Sequence, residues 1–182
     1  MNLKFWAIQM KTNLVAGVVI YGLMLTAQAA ESSTKLEDVH LCCQSCVKGV
    51  QAAIAKVPGA TATCDKDAGT VTLSGPDRET VQKAANSLVQ AGYFGKSSDS
   101  KIKMTNETGA KGETTKTLKV EGVHLCCGKC VTAVNEAVKA VPGVKETTAM
   151  KNAKSFEVTG DFKDKEVFEA LNKAGLAGRS GN

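Results

Sequence analysis

The chain has 182 residues, of which 43% are hydrophobic, 4% aromatic and 23% charged, and its formal net charge is +5. Lys and Glu alternate with no Arg-rich block and no interleaved aromatics, so the positive excess reads as a solvated surface and nucleic acid is excluded as a partner. With so few aromatics any core must be small and aliphatic, which fits one or two small domains.

Residues 1–29 read as a signal peptide. Lys4 and Lys11 supply a positive start, residues 14–25 are apolar, and Ala27-Gln28-Ala29 has the small-x-small form of a cleavage site. The apolar run is short for a membrane span. The expectation is an exported protein, periplasmic or secreted, with no membrane span in the mature chain. Thiols tend to pair outside the cytosol, and an odd total of seven cysteines cannot all pair within one molecule.

After a polar stretch expected to be loose (31–35), residues 36–41 read as a short strand. Its alternation slips between Leu36 and Val39, which points to a bulge or to a strand that stops before Val39-His40-Leu41. The next residues, Cys42-Cys43-Gln44-Ser45-Cys46, open a helix expected to reach Val57, with Val47, Val50, Ile54 and Val57 on one stripe and Pro58-Gly59 as its stop. Residues 60–65 and 70–74 read as a hairpin. Residues 77–91 read as a second helix with Val81, Ala84, Ala85 and Leu88 inward and Gly92 at its end. A final strand after Tyr93 is poorly marked.

The same phrase then recurs. Val123-His124-Leu125-Cys126-Cys127-Gly128-Lys129-Cys130 repeats Val39 to Cys46, and Val131, Val134, Val138 and Val141 precede a second Pro-Gly at Pro142-Gly143. A hairpin over 144–150 and 155–159 and a helix over 163–174 follow. The last strand of this copy is expected to be short or missing. Residues 98–116, rich in Ser, Thr, Lys and Gly, read as a flexible linker. The order strand–helix–strand–strand–helix–(strand), found twice, predicts an α+β chain of two tandem ferredoxin-like βαββαβ domains at 34–97 and 117–178.

Cys43 with Cys46, and Cys127 with Cys130, form C-x-x-C pairs that place one sulfur in a loop and its mate in the first helical turn, so the two can converge. Unpaired N–H groups and the dipole at a helix start favour thiolate, a soft donor suited to Cu(I) and then Zn(II). Cys64, alone in a predicted strand and matched by Thr148, reads as a small core residue.

On these residues, with the Val-Pro-Gly helix end, the hairpin and Ala91-Gly92-Tyr93, the chain resembles the heavy-metal-associated domain family, which includes copper chaperones and periplasmic mercury-binding proteins. The resemblance covers about 34–97 and 117–178. It implies metal ligation by Cys43, Cys46, Cys127 and Cys130, buried loop anchors at Leu41 and Leu125, and a residue beside the site at Tyr93, replaced by Leu176 in the second copy. The chain departs from the family at Cys42 and Cys126, an extra thiol each, and at His40 and His124, where the family has glycine. Each extra thiol is either a third ligand or a solvent-facing spare. Each histidine is either a further ligand or a packing group. Three thiolates would suit Cu(I) or Hg(II); Cys₃His would suit Zn(II).

The functional expectation is a non-enzymatic metal-binding protein, most simply for Cu(I), that sequesters its ion or exchanges it with a membrane metal transporter or another metal-carrying protein. The alternatives are a thiol–disulfide redox protein, against which no Trp precedes the pairs, and a structural module stapled by disulfides.

Overall fold

The computed structural model describes residues 31–181; the expected signal peptide lies outside them. The first unit runs β1 (Ser32–Glu37), α1 (Gln44–Ile54), β2 (Thr61–Asp65), β3 (Thr70–Gly75), α2 (Arg78–Gln90) and β4 (Lys96–Ser97). The second runs β5 (Thr114–Glu121), α3 (Gly128–Lys139), β6 (Val144–Thr147), β7 (Ser155–Lys163), α4 (Asp164–Lys173) and β8 (Arg179–Ser180). The antiparallel sheets have the orders β2-β3-β1-β4 and β6-β7-β5-β8. This is the expected α+β pair of ferredoxin-like units. Among the described residues no helix is long and apolar enough to cross a membrane.

The helix stripes explain the layering. Val50, Val81, Ala84 and Leu88 are fully buried with Leu36, Val71 and Leu73 of the sheet, and Val134, Val138, Val167 and Leu171 do the same with Val120 and Val158. α2 begins at Asp77, whose side chain accepts the Thr80 N–H at 2.7 Å, and its end is marked by Gly92 at φ +90°.

The element edges differ from expectation in several places. β1 starts at Ser32, so residues 32–35 are strand and not loose: Thr34 is buried and its hydroxyl lies 2.8 Å from that of Ser97. β1 ends at Glu37, before Asp38 with its left-handed φ of 59°, which leaves Val39-His40-Leu41 in the loop. α1 stops at Ile54, and Val57 is only half-buried. β7 runs on to Lys163 through Gly160, which packs so closely on Gly143 that a side chain there would strike its carbonyl. β6 ends at Thr147, leaving Met150 exposed. β8 is short, and so is β4.

Residues 98–116, read from composition as a linker, make specific contacts with both units. Ile102 is buried, and Gln82 of α2 both donates to the Lys103 carbonyl and accepts its N–H, each at 2.8 Å. Further on, Asn106 donates to Asn172 at 2.9 Å, the Ser180 N–H to the Thr108 carbonyl at 2.7 Å, and the Lys111 and Gly112 N–H groups to the Asp164 carboxylate.

The two units meet through the turns that follow α2 and α4. Tyr93 and Leu176 form an antiparallel bridge, framed by Phe94 N–H to Gly175 carbonyl and Ala177 N–H to Gly92 carbonyl, both 3.0 Å. Each turn also touches the other unit's motif loop: the His40 N–H reaches the Gly175 carbonyl at 3.3 Å. Gly175, at φ +77°, lies against the backbone of Asp38 and His40, and Gly92 lies against Gly122 and His124. A Cβ at either position would collide with that backbone.

Candidate metal centre

Each motif leaves its strand at a sharp turn and enters a helix whose N-cap is a cysteine, Cys43 for α1 and Cys127 for α3. Leu41 and Leu125 are buried and pin the loops. Cys46 and Cys130 sit in the first helical turns and are fully buried, while Cys42, Cys43, Cys126 and Cys127 are half-buried. The Cys43 and Cys46 sulfurs are 3.8 Å apart, and so are those of Cys127 and Cys130. The loop and the helix start therefore do bring each C-x-x-C pair to one point.

Because the turns after α2 and α4 hold the motifs face to face, the two sets of thiols are one group. Cys42 Sγ lies 3.4 Å from that of Cys127 and 3.5 Å from that of Cys130. Cys126 Sγ lies 3.8 Å from Cys43 and 3.6 Å from Cys46. Cys43 reaches Cys127 and Cys46 reaches Cys130, each at 3.9 Å. Cys42 and Cys126 also contact the last cysteine of their own motif, at 3.6 and 3.7 Å. The extra thiols thus point into the group and toward the other unit, rather than out to solvent.

The acidities differ across the group. Cys127 is held down to about 6, chiefly because the Cys130 backbone N–H at the start of α3 favours its thiolate, though no full capping hydrogen bond forms. Cys46 is lowered, mainly by the Cys130 S–H that faces it, and Cys130 is raised by the same contact. Burial raises Cys42, and pushes Cys126 up to about 12. A cluster of facing sulfurs holds charge on some of them and protons on the others, because each S–H stabilises a neighbouring thiolate.

His40 and His124 flank the group. Their Nε2 atoms are buried without a hydrogen-bond partner. A ring nitrogen of His40 lies within 4.8 Å of the Cys42 and Cys130 sulfurs. Burial lowers the His40 pKa, which keeps its imidazole neutral and able to offer a lone pair. His124 instead stacks on Tyr93, with ring centroids 4.7 Å apart. Tyr93 is fully buried and donates its hydroxyl to the Cys46 carbonyl at 2.9 Å, so it buttresses the start of α1 from behind. Leu176, its counterpart, offers no such bond. Cys64 is half-buried in β2 beside the core, and burial raises its thiol.

The three-thiol sets Cys42, Cys43, Cys127; Cys43, Cys46, Cys126; and Cys126, Cys127, Cys130 each lie within 4.8 Å. Two of the three draw on both units. The sequence leaves open whether the two motifs share an ion, because the units dock through backbone hydrogen bonds at Gly92, Tyr93, Gly175 and Leu176 that carry no side-chain signal.

The family model described as "Heavy-metal-associated domain" matches residues 117–176. Among solved structures, a copper binding domain from HMA7, a P-type ATPase, is 20% identical, covering 37% of this chain and 96% of that one at a TM-score of 0.35. The N-terminal soluble domains of Bacillus subtilis CopA are 13% identical, covering 84% of this chain and 95% of that one at a TM-score of 0.31. The first two RRM domains of a yeast poly(U) binding protein are 11% identical, covering 83% of this chain and 99% of that one at a TM-score of 0.23. No curated protein matches the sequence.

Proposed function

We propose, from the match of residues 117–176 to the heavy-metal-associated domain model, that the chain binds a soft heavy-metal ion, Cu(I) first, through the thiols of its two CCxxC motifs. The observation that carries the reading is the group of six thiols at two helix starts, each in contact with at least three others at 3.4 to 3.9 Å. Soft thiolates select soft cations, and sites of three sulfurs suit Cu(I) better than Zn(II), which asks for four ligands in a tetrahedron. Hg(II) shares the preference for sulfur. The ligands proposed are Cys43, Cys46, Cys127 and Cys130, with Cys42 and Cys126 joining them. His40 stands at the edge as a further donor, and His124 serves packing through its stack on Tyr93.

The role that fits is sequestration or hand-over of the ion in the cell envelope, with no catalytic step, after export directed by residues 1–29. Exchange with a membrane metal transporter or another metal-carrying protein would run through mixed thiolates at the half-exposed Cys43 and Cys127. A thiol–disulfide redox role is the competing reading, since the helix-start Cys127 is acidic. Anaerobic titration of the reduced protein with Cu(I) and Zn(II) against a chromophoric chelator, beside a disulfide-reductase assay, separates them. Retention of Cu(I) in preference to Zn(II), without reductase turnover, is the expected result. Reductase turnover with no retained Cu(I) would replace this reading with the redox one.

A further inference from the structure

We propose that the two motifs are not separate sites but one chamber that assembles a four-copper Cu(I)–thiolate cluster within a single chain, a proposal that rests on the metal-binding reading above. The six sulfurs are related like the corners of an octahedron. Ten sulfur pairs lie within 3.9 Å and two more, Cys42–Cys43 and Cys126–Cys127, within 4.8 Å; the pairs left over, Cys42–Cys126, Cys43–Cys130 and Cys46–Cys127, are the opposite corners. Four triangular faces alternate around such a figure. Three are the three-thiol sets Cys42–Cys43–Cys127, Cys43–Cys46–Cys126 and Cys126–Cys127–Cys130. The fourth is Cys42–Cys46–Cys130, with edges of 3.6, 3.5 and 3.9 Å. Every one of the six sulfurs belongs to two of these faces and no more.

That distribution is what a bridged cluster needs. One ion on each face has three sulfur ligands, and each sulfur joins two ions. The centre of a triangle with those edges lies about 2.1 Å from each corner, so lengthening the edges by a few tenths of an ångström gives the roughly 2.3 Å typical of a metal–thiolate bond with the ion in the plane of its three sulfurs. In an octahedral set any four corners include an opposite pair, so the group offers no four mutually close sulfurs and no tetrahedral site of sulfur alone. Three-coordinate Cu(I) fits the six thiols better than Zn(II) does.

The arrangement also accounts for the third cysteine of each motif. Without Cys42 and Cys126 only four sulfurs remain, and every one of the four faces loses a corner. Charge balances as follows: four Cu(I) ions bring four positive charges, six thiols release six protons, and the product carries a net charge of −2. The N-termini of α1 and α3, which bear Cys43 and Cys127, face that charge with their dipoles. The full burial of Cys46 and Cys130 shields the centre from water.

The test is anaerobic titration of the reduced protein with the acetonitrile complex of Cu(I), read by native mass spectrometry and copper X-ray absorption. The expected result is four copper ions per monomer, with the four-copper species appearing at the expense of intermediate loadings. A copper–copper distance below about 3 Å should accompany it, because ions in the planes of alternate faces, each about 2.3 Å from its sulfurs, lie roughly 2.7 Å apart. Cys42→Ala and Cys126→Ala, which leave both C-x-x-C pairs whole, should each cut the loading to two or fewer and abolish the copper–copper signal. Two ions per monomer with no copper–copper signal, unchanged in Cys42→Ala, would overturn the cluster and leave metal binding standing. Four ions held only by a dimer would overturn the single-chain chamber. No retained copper would overturn both the cluster and the function proposed above.

Discussion

Cys126 and Cys127 are adjacent in the chain and opposite in acidity. Cys127 caps α3, where the Cys130 backbone N–H holds its thiol near 6, whereas burial carries Cys126 up to about 12. A group with a lowered pKa is already ionised at neutral pH and takes its proton back only as pH falls through that value. In metal-free reduced protein, a brief iodoacetamide pulse should therefore label Cys127 well ahead of Cys126 at neutral pH. The Cys127 rate should fall as pH drops below about 6, while Cys126 stays slow until strongly alkaline solution. Peptide mapping of the labelled protein reads this directly, and equal labelling of the two would contradict the helix-start account. Behind the cluster, Tyr93→Phe removes a buried hydroxyl that donates to the Cys46 carbonyl at 2.9 Å. Since the ring and its stack on His124 survive, the loss should be about 1 kcal/mol of unfolding free energy in a denaturant titration.

At the scale of elements, two glycines make opposite predictions. Gly175 ends α4 at φ +77°, and its missing Cβ is what lets the second unit close on Asp38 and His40. Gly175→Ala should destabilise the chain by more than about 1 kcal/mol, from left-handed strain plus collision, and part the units, seen as a larger radius of gyration in small-angle scattering. Gly128 opens α3 with nothing near where a Cβ would stand. Gly128→Ala should stabilise by roughly 0.5 kcal/mol in the same melts, because it removes backbone freedom from the unfolded chain.

The same contrast marks what could be read from the chain alone. The stripes Val47–Val50–Ile54 and Val81–Ala84–Ala85–Leu88 and the hairpin over β2 and β3 were legible, because burial imposes a period on apolar residues. The early start of β1 was not, since Ser32 to Lys35 are polar and owe their order to pairing with β3 and to the Thr34–Ser97 contact. The four C-x-x-C cysteines were legible from spacing, and the structure brings each pair together. That Cys42 and Cys126 cross to the other motif was not legible. It depends on a docking made by Gly92, Tyr93, Gly175 and Leu176 through backbone hydrogen bonds, which leave no pattern in the side chains.

For the molecule as a whole, the described contacts between the units centre on the two motif loops. They include the Tyr93–Leu176 bridge and its flanking hydrogen bonds, the His40–Gly175 hydrogen bond, the close approach of Gly92 and Gly175 to the opposite loops, the Tyr93–His124 stack and the facing thiols. The segment from Lys103 to Gly112, tied first to Gln82 and then to Asp164, Asn172 and Ser180, keeps the two motifs at high effective concentration. Ions bridged between Cys42 or Cys46 on one side and Cys127 or Cys130 on the other would join the two folding units by coordinate bonds. Binding to the folded state alone then adds about 2.7 kcal/mol at a free concentration one hundred times the dissociation constant. Cu(I) loading should consequently raise the melting temperature of both units together and merge their unfolding into one calorimetric transition. Removal of the metal with a strong Cu(I) chelator should return the original trace. If only one unit gained stability, the ions would be held by a single motif, and the docking seen here would serve packing alone.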